Sequence, residues 1–329
     1  MATYGIKRKE NRNFEKNYAR KRIAVKEITI QTPITCANVG PGYDIFAVSL
    51  AENSDIIKLK LNDSGIISIK VRNNFQNIPT KVSDNTAGLA ARELFKSKNI
   101  VQGVEIEIIK KVTSGAGLGT TGASASAVVF GLNKLLNLNL SENEIIDFAR
   151  RGEVASGGSP HADNVAAALL GGFVLVRNYQ PIEVMKMKMP EFPIVLAVMT
   201  KSQRTTRGFI SYDIGVEKLR LQMAHCASVI HAIHLQDEKL FGKAINTDFI
   251  AEPVRGAAIS EYWEAKKKVL KAGAFGFNVS GGGSSVFAVC SEQNRDEIAE
   301  LMKEIFKNNP HFVDVIKTTT SNTGVREII

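Results

Sequence analysis

The strongest constraint on the fold is a strand that runs into a glycine-rich turn and then into a helix. Val104 to Val112 alternate as a strand does, Thr113 to Ala127 follow with glycines at 115, 117, 119 and 122, and the apolar run Val128 to Leu136 reads as a helix. Small side chains leave backbone N–H groups unshielded, and the N-terminal end of the helix dipole adds positive potential, so the turn can cradle an anion. A tight strand-to-helix turn with glycines for packing alone would use the same residues, and the loop by itself does not decide between them. No lysine follows the last glycine, which excludes G-x-x-x-x-G-K followed by Ser or Thr, and Gly115-x-Gly117-x-x-Thr120 lacks the third glycine of the dinucleotide fingerprint. Any phosphate held here is held by backbone amides and hydroxyls.

The 329 residues suffice for two domains or one large one with a sizeable core, and 44% hydrophobic with 23% charged residues is an ordinary globular composition. The net charge of +9 would suggest a nucleic-acid partner if it lay on the body of the protein. Residues 1–26 hold nine Lys or Arg against two Glu, so they carry seven of the nine net charges and leave the rest near +2. That distribution argues against a basic globular face and favours a solvated basic extension at residues 1–26. The segment has no apolar stretch typical of a secretory signal, and nowhere is an apolar run long enough to span a membrane. Cys36, Cys226 and Cys290 are widely spaced in apolar surroundings and read as buried thiols of a cytoplasmic protein.

Periodicity places strands at Ile23 to Thr32, Ile56 to Leu61 and Ile66 to Val71, the last two reading as a hairpin across Asn62 to Gly65. Helices follow at Asn85 to Lys96, with Asp84 or Asn85 as cap, and from the capping box Ser141-Glu-Asn-Glu144 to about Ser156. The small-residue loop Gly157 to Pro160 leads into His161, Asp163, Asn164 and a helix over Val165 to Leu170. Strands are expected at Phe173 to Val176 and Ile194 to Met199, then helices at Gly215 to Ile233, Leu235 to Asn246 and Ala258 to Leu270. Two short strands, Gly273 to Asn278 and Val286 to Cys290, flank a second glycine cluster at 281–283, and Glu292 to Asn308 (helix) and Val313 to Thr318 (strand) close the pattern. Pro181, Pro190 and Pro193 suggest a boundary that divides the chain into 27–190 and 191–329.

Four stretches share one resemblance. Pro33-Ile-Thr-Cys-Ala-Asn38-Val-Gly40-Pro41-Gly42-Tyr-Asp44 alone reads as a capped turn. It is similar, however, to the first motif of the GHMP small-molecule kinases, and of the homoserine kinases among them, P-x-S-x-A-N-L-G-P/A-G-F-D. The opening loop resembles their G-L-G-S-S-A-A, residues 157–173 resemble G-x-x-H-x-D-N-V-A-P-A-L-L-G-G, and Ser280 to Phe287 resemble S-G-A-G-P-S-V-F. The order and the span from 33 to 287 make the combination specific where each motif is weak. The resemblance implies a two-domain α/β (α+β) fold, with an N-terminal mixed-sheet domain and a C-terminal sandwich of antiparallel sheet and helices. It implies an ATP:alcohol phosphotransferase using ATP and Mg2+, acting on homoserine.

The resemblance also implies roles. ATP phosphates would lie on Gly115, Ala116, Gly117, Leu118, Gly119, Thr120, Thr121, Gly122, Ala123 and Ser124. Glu153 matches the magnesium-binding glutamate and Thr121 the hydroxyl ligand, with Thr120 next; alone, Glu153 would read as a solvated helix end. Arg204 in Thr200-Lys-Ser-Gln-Arg204 and Arg255 in Glu252-Pro-Val-Arg255 would face the substrate carboxylate, with Arg207 a competitor for the first role; by themselves both are ordinary surface arginines. Asp44 would take the ammonium, with Asn38, His161 and the loop at Gly282 as further substrate contacts. Asn164 stands where other GHMP kinases carry an aspartate base, and an amide cannot accept a proton, so positioning and electrostatics are expected to dominate, with Asp163 and His161 as rival bases.

The chain departs from the pattern at Thr35-Cys36 for Ser-Ser, Thr120-Thr121-Gly122 for Ser-Ser-Ala, Ala162 for Pro and Ser284 for Pro. The alternatives are a sibling kinase for another alcohol, such as shikimate or mevalonate, and a non-catalytic ligand sensor of the same fold. A homodimer is left open.

Overall fold

The computed structural model describes residues 27–72, 78–157, 159–200 and 209–328. The expectations for the basic segment 1–26, for the strand residues 23–26 and for Arg204 and Arg207 fall outside the described residues.

Strands β1 (Glu27–Thr32), β2 (Thr35–Ala37), β3 (Phe46–Ser49), β4 (Asp55–Asn62) and β5 (Ile67–Arg72) precede helix α1 (Thr86–Ser97). Asn85 caps α1 by accepting from the N–H groups of Ala87 (3.0 Å) and Gly88 (3.2 Å), which satisfies two of the orphan donors of the first turn. Strand β6 (Gly103–Ile109) leads to the glycine-rich loop and helix α2 (Thr120–Leu136). Helices α3 (Glu142–Gly152), α4 (Val154–Gly157) and α5 (Asp163–Leu170), then strands β7 (Phe173–Tyr179) and β8 (Ile182–Met187), complete the first half. Ser141 and Glu144 form the expected capping box on α3.

The first sheet has the order β13-β1-β4-β6-β5, with β13 (Arg326–Ile328) supplied by the end of the chain. The expected hairpin between β4 and β5 is not formed. β6 inserts between them, antiparallel to β4 and parallel to β5. Gly103 permits the insertion, since a Cβ there would lie 2.2 Å from Asn62 Oδ1 and 2.4 Å from the Ile66 carbonyl. The apolar residues of β1, β4 and β6, such as Ile30, Ile57, Leu59 and Ile106, pack against Leu94 of α1, Val128 and Leu132 of α2 and Ile146 of α3. At about 25 cal/mol per Å² of apolar surface, this burial dominates the stability of the half. α2 is buried around most of its circumference, so its N-terminus is held rigidly.

A second sheet, β2-β3-β7-β8, is antiparallel. The turn expected over Pro33 to Asp44 contains β2, and β3 follows it; strands of three and four residues are too short to show a period of two, and the six-residue β8 was not expected either. The second half adds β9 (Pro193–Met199), α6 (Gly215–Leu235), α7 (Glu238–Ile245), α8 (Glu252–Ala257), α9 (Tyr262–Lys271), β10 (Gly276–Val279), β11 (Val286–Val289), α10 (Arg295–Phe306) and β12 (Phe312–Thr319). These strands form the antiparallel sheet β10-β11-β9-β12. All seven residues of β9 are buried: Ile194, Leu196 and Val198 face a core with Phe173, Val229 and Phe241, whereas Val195, Ala197 and Met199 face Tyr262, Val269 and Met302 of α9 and α10. A strand covered on both faces loses its alternation, which is why its sequence is a continuous apolar run.

Candidate active site

Loops far apart in the chain are stitched together at one point. The Thr35 N–H donates to the Leu118 carbonyl (3.1 Å), the Gly281 N–H to Ala37 (3.1 Å) and the Ser285 N–H to Ala116 (3.2 Å). Ser280 Oγ donates to the Gly117 carbonyl (2.7 Å) and Asn38 Nδ2 to the Gly281 carbonyl (3.1 Å). Around this knot lies a cleft of about 510 Å³.

One wall is the glycine-rich loop. Gly119, at φ 61, is the N-cap of α2, and no described side chain caps the helix, so its first amides and dipole open on the cleft. Beneath this turn, sequence reading missed Lys110. Its side chain is enclosed (2% exposed) and donates to Asp55 Oδ2 (2.7 Å), the Thr120 carbonyl (2.9 Å) and Ser124 Oγ (3.0 Å). All three ammonium protons are thereby used, and Asp55 also accepts from the Lys111 N–H (2.8 Å). The pair locks the first turn of α2 to β4 and does not line the cleft. Asp55 and Lys110 lie 55 residues apart, so no local pattern could show the pairing.

Glu153 interrupts the helix expected to continue to about Ser156: α3 ends at Gly152, and the glutamate sits at the break before α4. Its Oε2 accepts from Thr121 Oγ1 (3.3 Å), whereas Oε1 is enclosed and has no hydrogen-bond partner among the described residues. Burial pushes this carboxyl up to about 7, and the charge of Asp163 adds to the rise, against the Thr121 hydrogen bond and the charge of Lys110. A buried carboxylate oxygen with no donor is what a divalent cation would satisfy, and the hydroxyl of Thr121 is a second oxygen beside it. Among the described residues no group of three His, Cys, Asp or Glu forms a metal cage.

The opposite side gathers the expected substrate residues. Asn38, Val39 and Asp44 have φ of 68, 47 and 59, a run of left-handed residues that costs about 1–3 kcal/mol each and is held by the surrounding bonds. Gln222 Nε2 donates to the Pro41 carbonyl (2.7 Å), and Asn38 Oδ1 accepts from the Asp44 N–H (3.1 Å). Asn38 therefore works mainly as a clasp between this loop and Gly281. Asp44 Oδ1 lies 3.7 Å from His161 Nδ1. Arg255, 3% exposed, donates from Nη1 to the Gly281 carbonyl (2.5 Å) and lies over the Tyr43 ring at 5.3 Å. Asn164, at the start of α5, accepts from Thr35 Oγ1 (2.7 Å) through Oδ1.

Thus Asn38, Asp44, Gly115, Gly117, Leu118, Gly119, Thr120, Thr121, Glu153, His161, Asn164, Arg255 and Gly282 all line the one cleft. Four of the expected loop residues do not. Ala116, Ala123 and Ser124 are buried, Ser124 bonding Lys110, and Gly122 packs against Val165 and Asn164. The cleft also takes in Thr200, the first residue of the Thr200 to Arg204 motif, and Asn309 and His311, which carried no local signal in the sequence.

Residues 85–172 match the GHMP kinases N terminal domain and residues 229–308 the GHMP kinases C terminal family. A homoserine kinase of Methanococcus vannielii is 34% identical over 285 residues, covering 86% of this chain and 94% of the relative. The crystal structure of a homoserine kinase from Cytophaga hutchinsonii superposes with a TM-score of 0.83 at 31% identity, over 92% of this chain and 97% of that one. L. major mevalonate kinase, in complex with R-mevalonate, shares the fold at a TM-score of 0.67 and 16% identity, covering 92% of this chain and 97% of that one. With both halves matched and the motif residues converging on one cleft, the chain belongs to the homoserine kinase family of the GHMP kinases.

Proposed function

We propose that this chain transfers the γ-phosphoryl group of ATP to the side-chain hydroxyl of L-homoserine, giving O-phospho-L-homoserine and ADP, a step of threonine biosynthesis. One observation carries the reading. The uncapped N-terminus of α2 and the orphaned oxygen of Glu153 face the same cleft as the Asp44–His161 pair and Arg255.

Phosphoryl transfer needs an alcohol positioned in line and neutralisation of charge on the phosphates. The amides opening α2 supply fixed dipoles toward the phosphates. Glu153 and Thr121 are the residues that would hold Mg2+, which when bound offsets the charge of the nucleotide phosphates. Homoserine is a zwitterion, so Arg255 suits its carboxylate and Asp44, beside His161, its ammonium. Asn164 orients the reacting groups without accepting the proton, which passes late to the phosphoryl oxygens. Free thiols at Cys36, Cys226 and Cys290 fit a reducing cytoplasm, where this biosynthetic step belongs.

The test is ADP release with L-homoserine, L-threonine, shikimate and mevalonate in parallel. Turnover should be fastest with homoserine, by at least about 100-fold over shikimate and mevalonate, which have no ammonium group for Asp44 to meet. Faster turnover of shikimate or mevalonate would overturn the substrate assignment.

A further inference from the structure

We infer that Thr35 is a positioning residue that sets which end of the Asn164 amide faces the reaction, an inference that rests on the phosphoryl-transfer reading above. Thr35 lies in β2, fully enclosed, with its backbone N–H on the Leu118 carbonyl of the phosphate loop (3.1 Å). Its hydroxyl carries one proton and donates it to Asn164 Oδ1 at 2.7 Å. The contact is packed directly under the α2 N-cap: a Cβ on Gly119 would lie 1.8 Å from Thr35 Oγ1 and 2.6 Å from Asn164 Oδ1. Gly119 is thus glycine both for its φ of 61 and to leave room for this pair. The Asn164 backbone N–H is held separately by Asp163 Oδ1 (2.8 Å), so the hydroxyl of Thr35 acts on the side-chain torsion alone.

With Oδ1 turned to β2, the Nδ2 amino group is the end Asn164 presents to the cleft it lines. There it donates to an oxygen lone pair, on the substrate hydroxyl or on the transferred phosphoryl group, and it cannot repel either. Removing the hydroxyl frees the amide to turn about a torsion with two nearly equivalent wells, and the turned amide points a carbonyl at anionic oxygens.

The test is a mutant cycle on the full chain. Thr35→Val should lower kcat about tenfold with KM for ATP and homoserine within about threefold, the order expected for one misplaced buried hydrogen bond. Thr35→Ser, which keeps the donor, should restore kcat. In an Asn164→Ala background Thr35→Val should change kcat by less than about twofold, because its partner is gone. An equal loss in both backgrounds, or a Thr35→Val enzyme with unchanged kcat, would overturn the inference. Turnover of homoserine by the unmutated chain is the separate check on the proposed reaction. A readout independent of any substrate is the Asn164 side-chain amide resonance, assigned by its disappearance in Asn164→Ala. It should shift in Thr35→Val and stay in place in Thr35→Ser, and an unmoved resonance in Thr35→Val contradicts the inference whatever the substrate.

Discussion

Two glutamates, Glu153 in the lining of the cleft and Glu252 not among its lining residues, both have carboxyls raised by burial and differ in what meets them there. Glu252, at the start of α8, is 4% exposed, and one oxygen accepts from Tyr262 Oη (2.5 Å) and from the ammonium of Lys266. Burial raises its carboxyl, and the charge of Lys266 opposes the rise. Among the described residues, Glu153 has only the long bond from Thr121 on one oxygen and no hydrogen-bond partner on the other. A buried charge that is paired holds the fold together. One that is enclosed and left short of donors is unfavourable to folding, and it persists where function needs it. The contrast sets a structural carboxylate against the one proposed to hold magnesium, and Lys110–Asp55 belongs with the first kind.

The largest effect expected is on turnover. Glu153→Gln should reduce kcat about 10³-fold, equivalent to about 4 kcal/mol of transition-state stabilisation, with a melting temperature at or above that of the unmutated chain. A full-rate enzyme, or one that loses several degrees, would put Glu153 with the structural class. Next, Lys110→Met leaves Asp55 enclosed without its cation and should destabilise by about 3 kcal/mol in denaturant unfolding. ATP affinity should fall with it, as the first turn of α2 loosens. Glu252→Gln should follow at about 2 kcal/mol of stability, with kcat at saturating substrate changed less than tenfold.

The smallest effect is the pH dependence of the metal-free fold. Glu153 titrates near 7 in the native state against an ordinary value of 4.5, so the native state holds the extra proton in the window between them. Stability must therefore fall as pH rises through that window. Melting temperature should drop between pH 5 and pH 7.5 and drop less in Glu153→Gln; equal slopes would show that another group sets the dependence.

Much of the site was legible because its residues sit in contiguous motifs that carry their chemistry locally. The glycines before α2, the Asn38 to Asp44 turn and the His161 to Asn164 step could be read without contacts. What escaped are partners brought in from a distance. Lys110 looked like one strand residue among others until Asp55 met it, and Glu252 looked like the first letter of an arginine motif until Tyr262 and Lys266 closed on it. The same holds for the fold. Adjacent strands with a short turn imply a hairpin, and only the tertiary pairing reveals β6 between β4 and β5, or β13 returning to β1 from the far end of the chain.

The account stands most directly on the magnesium dependence of homoserine-driven ADP release in three proteins, the unmutated chain, Glu153→Gln and Glu252→Gln. Glu252→Gln should half-saturate at the same magnesium concentration as the unmutated chain, and Glu153→Gln should need at least about tenfold more, a loss of about 1.4 kcal/mol in metal affinity. An unchanged magnesium dependence in Glu153→Gln would contradict the assignment of the orphaned carboxylate to the metal.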